Sequence, residues 1–308
     1  MDGTDFFLGG LGSMGATLIT NPLEVVKTRM QLQGELAAKG TYRKPYRGIA
    51  DAFVTIARND GYAALQKGLA PSLCFQFILN SCRLGIYNTA NEYRWTKQAN
   101  GNQSVLKSAF WGATGGFVGS ALASPFFMVR THLQSQAKAV IAVGFQHQHT
   151  GMMSALKEIF QKHGVQGLYR GVAITMPRAL LGSGGQLAAF GYTKDFLTRR
   201  PILANQSETF VSIAAGAVGG TVMAITMTPP DVIATRLYNQ GVDAKGKGIY
   251  YKGVIDCCIK IIKTEGIAGL YKGFWPHYMR IGPHATLVLL FFDELKLLRT
   301  KYYVSKVV

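Results

Sequence analysis

Three arginines stand alone in otherwise apolar sequence. Arg83 is the only charge between Leu69 and Ile86, and Arg178 the only one between Val172 and Tyr192. Arg280 is the only one between Phe274 and Phe292, where His277 and His284 accompany it. None of these stretches contains an acid. Ionisable groups at membrane depth are costly and are kept for function. A guanidinium fork suits a carboxylate or a sulfate, gripped through two parallel N–H bonds. Arg178 and Arg280 each lie seven residues after a glycine, Gly171 and Gly273, so both sit two turns into a span at equivalent depth. The same count from Gly68 reaches Phe75, with Gln76 beside it. Arg83 lies about two turns further on, where a long side chain can guide an anion or snorkel to an interface. His284, four after Arg280, shares its face and can carry a proton with the anion, or pack as an ordinary helix histidine. Unpaired forks facing each other point to binding and release of a small anion, with a dicarboxylate bridging two of them. Nothing assembles a nucleophile, a base and an orienting group, which argues against an enzyme.

A second set of charges recurs at a fixed period. Pro22 leads Glu24, Lys27 and Gln31; Pro125 leads Phe127, Arg130 and Gln134; Pro229 leads Asp231, Ala234 and Tyr238. The prolines are 103 and 104 positions apart, so the chain is a threefold internal repeat. Proline lacks an N–H and bends a helix; Glu24 and Lys27, three apart, share one face just past the bend. If three such helices converge on a pseudo-threefold axis, each acid position faces a neighbour's base position. One direction gives Glu24–Arg130, Phe127–Ala234 and Asp231–Lys27. The other gives Glu24–Ala234, Phe127–Lys27 and Asp231–Arg130, and strands two charges. Breaking a buried pair costs about 3–5 kcal/mol, which favours the first direction, with two ion pairs and one apolar pair. Helix-end charges in solvent are the plainer alternative, but the third acid and the third base are lost together.

Six apolar spans must position these residues, at about 6–32, 71–94, 106–134, 174–197, 209–238 and 276–300, each long enough to cross a bilayer. The odd spans carry Gly9 and Ser13, Gly112 and Gly116, and Gly216 and Gly220, a spacing that lets helices approach closely in lipid. Short amphipathic helices are predicted near 49–59, 152–162 and 254–264. Each leads into a second motif: Asp60-Gly61 to Gln66-Lys67-Gly68, His163-Gly164 to Tyr169-Arg170-Gly171, and Glu265-Gly266 to Tyr271-Lys272-Gly273. Units of about 100 residues are too sparse for separate cores. The predicted fold is therefore an all-α membrane protein of three pseudo-symmetric repeats, 1–100, 101–203 and 204–308. Six transmembrane helices and three short ones would surround a central cavity. The chain has 308 residues, is 48% hydrophobic and carries a net charge of +17. Basic loops around apolar spans suit anionic lipid, and no basic stripe interleaved with aromatics suggests nucleic acid. The acidic start, Met1 to Asp5, reads neither as a signal peptide nor as an Arg-rich transit peptide. Cys74, Cys82, Cys257 and Cys258 suggest neither a disulfide frame nor a zinc spacing. His147 and His149 read as part of a solvated polar loop, so no metal and no cofactor is expected.

The triplicated motifs resemble the mitochondrial carrier family (solute carrier family 25) over nearly the whole chain. The family pattern is P-x-[DE]-x-x-[KR]-x-[KR], then [DE]-G-x-x-x-x-[WYF]-[KR]-G; the departures are Phe127, His132, Ala234, Gln66 and His163. Gln76, Asn80, Arg83 to Tyr87 and Arg280 to His284 resemble the oxaloacetate, sulfate and dicarboxylate branch, in particular members 34 and 35. The resemblance implies a multi-pass monomer of the mitochondrial inner membrane, both termini in the intermembrane space, working by alternating access and exchange. It implies substrate contacts at Phe75 and Gln76, at Arg178 and Ala179, and at Arg280; Ala179 breaks the Gly-apolar pair of adenine sites, so a nucleotide fits poorly. It implies that the proline-led charges form a matrix gate, braced by Gln31, Gln134 and Tyr238 under the ion pairs. A cytoplasmic gate would pair Asp293 with Lys194 and Lys296 with Asn88, leaving Asn91 at the remaining basic position. Bare helix starts at Gly48, Gly68, Gly171, Gly253 and Gly273 suit phosphate, and the resemblance implies cardiolipin there. The rival readings are a carrier-fold scaffold without transport, or a carrier for another solute such as an amino acid.

Overall fold

The computed structural model describes residues 4–38, 41–42, 44–97, 104–175, 177–178, 189, 192–193, 196, 208–243 and 246–307. The first repeat forms α1 (Thr4–Leu32), α2 (Ile49–Asp60) and α3 (Leu69–Glu92). The second forms α4 (Val105–Leu122), α5 (Ser124–Ser135) and α6 (Met152–Leu168). The third forms α7 (Glu208–Asn239), α8 (Val254–Glu265) and α9 (Phe274–Val307). Residues 172–175 and 177–178 are helical; most of the expected span 174–197 lies outside the described residues. Among the described residues, β structure is one isolated bridge between Val242 and Gly248.

Helices α1 and α7 run unbroken through Pro22 and Pro229. The second repeat does not: α4 and α5 meet at Ala123 with a bend of 62°. Pro125 has no N–H to continue the ladder, and the N–H groups of Phe126 and Phe127 both turn to Ala123 O, at 3.0 and 3.1 Å. No single described helix is long and apolar enough to cross a membrane alone; the bent α4–α5 pair meets the length and composition of a span only when its two halves are taken together. The expected spans fall short for a physical reason. Helices α1 and α7 carry Glu24, Lys27, Arg29, Asp231 and Arg236, all buried against neighbouring helices, so their polarity faces inward.

Helix α1 packs along α3 and α9, and α3 along α4. A side chain at Gly9 would overlap Leu84, and one at Gly15 would come within 2.9 Å of the Phe291 ring. In the second repeat the close approach falls at Gly115 and Gly119, where an added Cβ would lie 2.8 Å from Arg83 Cα and 2.9 Å from Leu79 O. This corrects the expected register. Gly112 has no neighbour there, and Gly116 lines the central cavity. Gly216 and Gly220 meet no described atom. The short helices α2 and α8 bury Ala52 and Ile56, and Cys257 and Ile261, pairs four residues apart on one face. Helix α6 is interrupted by Gly164 at φ 62°.

Candidate functional site

A cavity of about 470 Å³ lies between α1, α3, α4, α5, α7 and α9. Its wall includes Phe75, Gln76, Asn80, Arg83 and His284, and its floor includes Glu24, Lys27, Arg130, Arg178 and Arg280. The floor is one connected ion network. Lys27 Nζ lies 2.9 Å from Asp231 and 3.2 Å from Glu24. Arg130 approaches Glu24 at 3.8 Å. These contacts follow the first of the two neighbour directions. The network then extends further than the sequence suggests: Arg280 Nε reaches Glu24 at 2.6 Å, and Arg178 Nη1 reaches Asp231 at 2.9 Å. Arg178 and Arg280 are therefore not unpaired forks; each is held by a carboxylate of the floor. The free guanidinium is Arg83, which has no ion pair among the described residues. Arg130 Nε and Arg178 Nε are buried without a hydrogen-bond acceptor among those residues.

Phe127 is not merely the apolar partner of Ala234. Its ring packs against Phe75 and Tyr238, with centroids 5.3 and 5.0 Å apart. The Arg130 and Arg178 guanidinium carbons lie 4.4 and 5.3 Å from its centroid. A ring face attracts cations, so Phe127 stands where the other repeats place a carboxylate and still holds two arginines. Ala234 is fully buried beside it and leaves room for the ring.

The brace positions divide. Gln31 Nε2 donates to Asp231 Oδ2 at 3.1 Å and supports an ion pair. Gln134 instead accepts from Thr28 and donates to Asn21, and Tyr238 bonds Ser124 at 2.8 Å. Neither touches a floor charge, because the third ion pair does not exist and Arg130 sits over rings. All three share another role. A Cβ at Gly68 would meet Gln134, one at Gly171 would overlap the Tyr238 ring, and one at Gly273 would meet Gln31. The second-motif glycines thus let each even helix start against a neighbour's brace. Gly68 and Gly273 also hold φ of 70° and 74°, a conformation that glycine adopts without strain.

His284 is fixed in the wall. Thr20 donates to Ala16 O at 3.0 Å, so its oxygen accepts from His284 Nδ1 at 3.0 Å, and His284 Nε2 accepts from Gln76 at 3.3 Å. Those contacts make it a positioning group for Gln76. His277 is buried with Nδ1 3.9 Å from Asp231. At the far end, Asp293 is exposed and Lys296 lies 4.5 Å from the Phe292 ring centroid. Asn88 is half-buried, while Asn91 accepts from Thr96 of its own helix end at 2.8 Å. Lys194 and Ala179 lie outside the described residues.

A second ring of contacts was not read from the sequence. Arg29 pairs with Asp60 at 2.9 Å and donates to Gln134 O at 3.1 Å. Arg236 makes a two-pronged pair with Glu265 at 2.5 and 2.8 Å and donates to Gln31 O at 3.3 Å. His132 occupies the same position in the second repeat and reaches Tyr238 O at 2.7 Å. In each repeat this residue thus binds the backbone of the next brace and ties neighbouring repeats together at the proline end. The signal was present: the motif base and motif acid are Arg29 and Asp60, Arg236 and Glu265, but His132 and His163.

A profile described as "Mitochondrial carrier protein" matches residues 3–98, 101–201 and 205–303. The chain belongs to the mitochondrial carrier family. Membership makes it a transporter of the mitochondrial inner membrane rather than an enzyme. Solute carrier family 25 member 35 of Homo sapiens is 50% identical over 97% of this carrier and 98% of its own length. The mitochondrial citrate transporter E of Aspergillus niger is 39% identical, over 92% and 89%. The mitochondrial oxaloacetate transport protein of Saccharomyces cerevisiae is 38% identical, over 94% and 87%.

Proposed function

We propose that this carrier exchanges small dicarboxylates, oxaloacetate among them, across the inner membrane by alternating access. The charge of the cavity carries the reading. Lys27, Arg83, Arg130, Arg178 and Arg280 face two carboxylates, Glu24 and Asp231, which leaves three positive charges uncompensated among the described residues. A cavity of this size holds a four-carbon dicarboxylate with room for water. The yeast oxaloacetate transport protein and the Aspergillus citrate transporter, as relatives, support a small carboxylate anion as the cargo.

The network also supplies a mechanism. Arg83 receives the anion. A dicarboxylate that bridges Arg178 and Arg280 competes with Asp231 and Glu24 for both forks. The displaced acids then keep Lys27 and Arg130 alone, and the floor loosens. A ligand shifts a conformational equilibrium only by its differential affinity, so a monocarboxylate, engaging one fork, opens the gate poorly. In this reading the proline end is the matrix gate, both termini face the intermembrane space and the carrier works as a monomer. Cardiolipin phosphate would dock at the uncapped starts of α2 and α8, where Gly48 and Gly253 have open space around them. Gly68, Gly171 and Gly273 have a packing reason for glycine and serve the lipid through their N–H groups alone.

The test is exchange in liposomes with labelled oxaloacetate, malate, malonate, citrate and sulfate. Wild type should exchange dicarboxylates, and Arg83→Gln should lose an order of magnitude or more, a charge-assisted contact being worth about 1.5–3 kcal/mol. Uptake restricted to neutral or cationic solutes would overturn the anion reading. A wild type that exchanges nothing would favour a scaffold.

A further inference from the structure

The second repeat places His132 where the outer repeats have an arginine, and two loop imidazoles gather beside it. His132 ends α5, and His147 and His149 lie on the loop 136–151. One ring nitrogen of each falls within 4.8 Å of the others. The rings are nearly parallel: His132 and His147 have centroids 3.5 Å apart at 11°, and His149 lies 5.4 Å from His132. They edge a cavity of about 410 Å³ shared with Glu158, Arg170 and Asp243. This loop is packed against α5 and α7, not solvated as its polar sequence suggests.

The hydrogen bonds fix the protons. Backbone carbonyls and carboxylates accept but cannot donate. His132 Nε2 lies 2.7 Å from Tyr238 O, His147 Nε2 2.8 Å from Asn239 O, and His149 Nδ1 2.9 Å from Glu158 Oε2. Each ring keeps its proton on that nitrogen. The lone pairs left over are on His132 Nδ1, His147 Nδ1 and His149 Nε2, and the first and last face each other at 3.3 Å. Two lone pairs at that distance repel unless something lies between them. A tetrahedral metal with bonds of about 2.0–2.1 Å holds two nitrogens roughly 3.3–3.4 Å apart. Metal-binding imidazoles are oriented by donating the other N–H to a carbonyl or carboxylate, as all three do here.

We propose that His132, His147 and His149 form a binding site for a divalent transition metal of the Zn²⁺ class. Neutral imidazoles favour such ions over Mg²⁺ or Ca²⁺. Glu158 orients His149, and Lys162, at 2.7 Å, holds Glu158 in place. The fourth coordination position faces the cavity. The ligands belong to the second repeat and two of their supporting carbonyls to the end of α7. A bound ion therefore ties the two repeats together and favours the closed matrix end. The competing occupant of the 3.3 Å gap is a proton, with His149 as an imidazolium between Glu158 and His132.

The probe is Co²⁺, titrated into the chelator-stripped full-length carrier in detergent. One Co²⁺ per chain should bind with the visible absorption of a tetrahedral site, be displaced by Zn²⁺, and Zn²⁺ should raise the melting temperature. The variant His147→Gln with His149→Gln should lose both the absorption and the Zn²⁺ shift. Glu158→Gln, a milder change, should weaken binding roughly 10–100-fold. A folded wild type without a saturable Co²⁺ spectrum overturns the site and leaves the proton in the gap. Undiminished binding by the double variant, or by Glu158→Gln if the double variant does not fold, places the metal elsewhere and overturns it equally.

Discussion

Repeats 1 and 3 join the proline end with charge, and repeat 2 joins it with rings. In the outer repeats Glu24 and Asp231 hold Lys27, Arg178 and Arg280, and beneath them Arg29 and Arg236 grip Asp60 and Glu265. In the middle repeat Phe127 takes the carboxylate's place, and imidazoles replace the deeper pair. The backbone frame is threefold nonetheless: Arg29, His132 and Arg236 all bind the carbonyl of the next repeat's brace. One third of a symmetric gate can change its chemistry if acid and base positions change together, because neither is then left as a stranded buried charge.

The largest expected effect separates the two kinds of repeat. Arg29→Met strands Asp60, whose side chain is almost wholly buried, and should lower stability by about 3–5 kcal/mol. His132→Gln keeps a donor near Tyr238 O and should cost about 1 kcal/mol in metal-free protein. Thermal unfolding in one detergent measures both, and equal losses would erase the distinction.

Next in size is the coupling across the gate. A double-mutant cycle of Lys27→Ala and Asp231→Ala should give an interaction of roughly 1–3 kcal/mol in stability or exchange rate. The matching cycle of Lys27 with Phe127→Ala should give far less. The opposite order would reverse the neighbour direction.

The glycine contacts offer a finer comparison. Gly68→Ala and Gly273→Ala meet backbone carbonyls, of Arg130 at 3.0 Å and Lys27 at 3.3 Å, besides a positive φ. Each should cost about 1–3 kcal/mol. For Gly171→Ala the nearest atoms all belong to the Tyr238 ring, so Tyr238→Leu should relieve it, while no change at Gln134 or Gln31 should rescue the other two. Equal rescue of all three would show that the ring, not the backbone, sets the distance everywhere.

The smallest effect is one of pH and tests the seam between repeats 1 and 3. Glu35, in the turn after α1, accepts from Tyr251 at 3.0 Å, and burial lifts its carboxyl to about 7. The folded state keeps a proton that the unfolded chain releases near pH 4.5. This contribution is complete below that pH and is lost as pH rises through about 7. Glu35 is only half-buried at its surface, so the expected change is on the order of 1 kcal/mol. Glu35→Gln should flatten the melting temperature across that window, and an unchanged slope would remove Glu35 as its source.

The pairing of Glu24, Lys27, Arg130 and Asp231 was legible in the sequence because a period and a cost decide it: positions repeat, and a stranded charge is expensive. The close-packing register of α4 was not, since small residues at 112, 115, 116 and 119 fit several registers. In the folded protein it is Gly115 and Gly119 that meet α3. The polar loop carrying His147 and His149 was misjudged for a related reason. Composition reports polarity, but not that Tyr238 and Asn239 of another repeat offer carbonyls to order it.

By itself the sequence determined the threefold repeat, the six-helix plan, the family and the cationic character of the cavity, since these follow from period, spacing and residue type. The tertiary structure alone decided which cations are free. Arg178 and Arg280 look unpaired because no acid lies near them in their own spans, yet each meets a carboxylate from another repeat. Ion pairs formed across repeats depend on how helices are placed around the axis, and local sequence does not encode that distance.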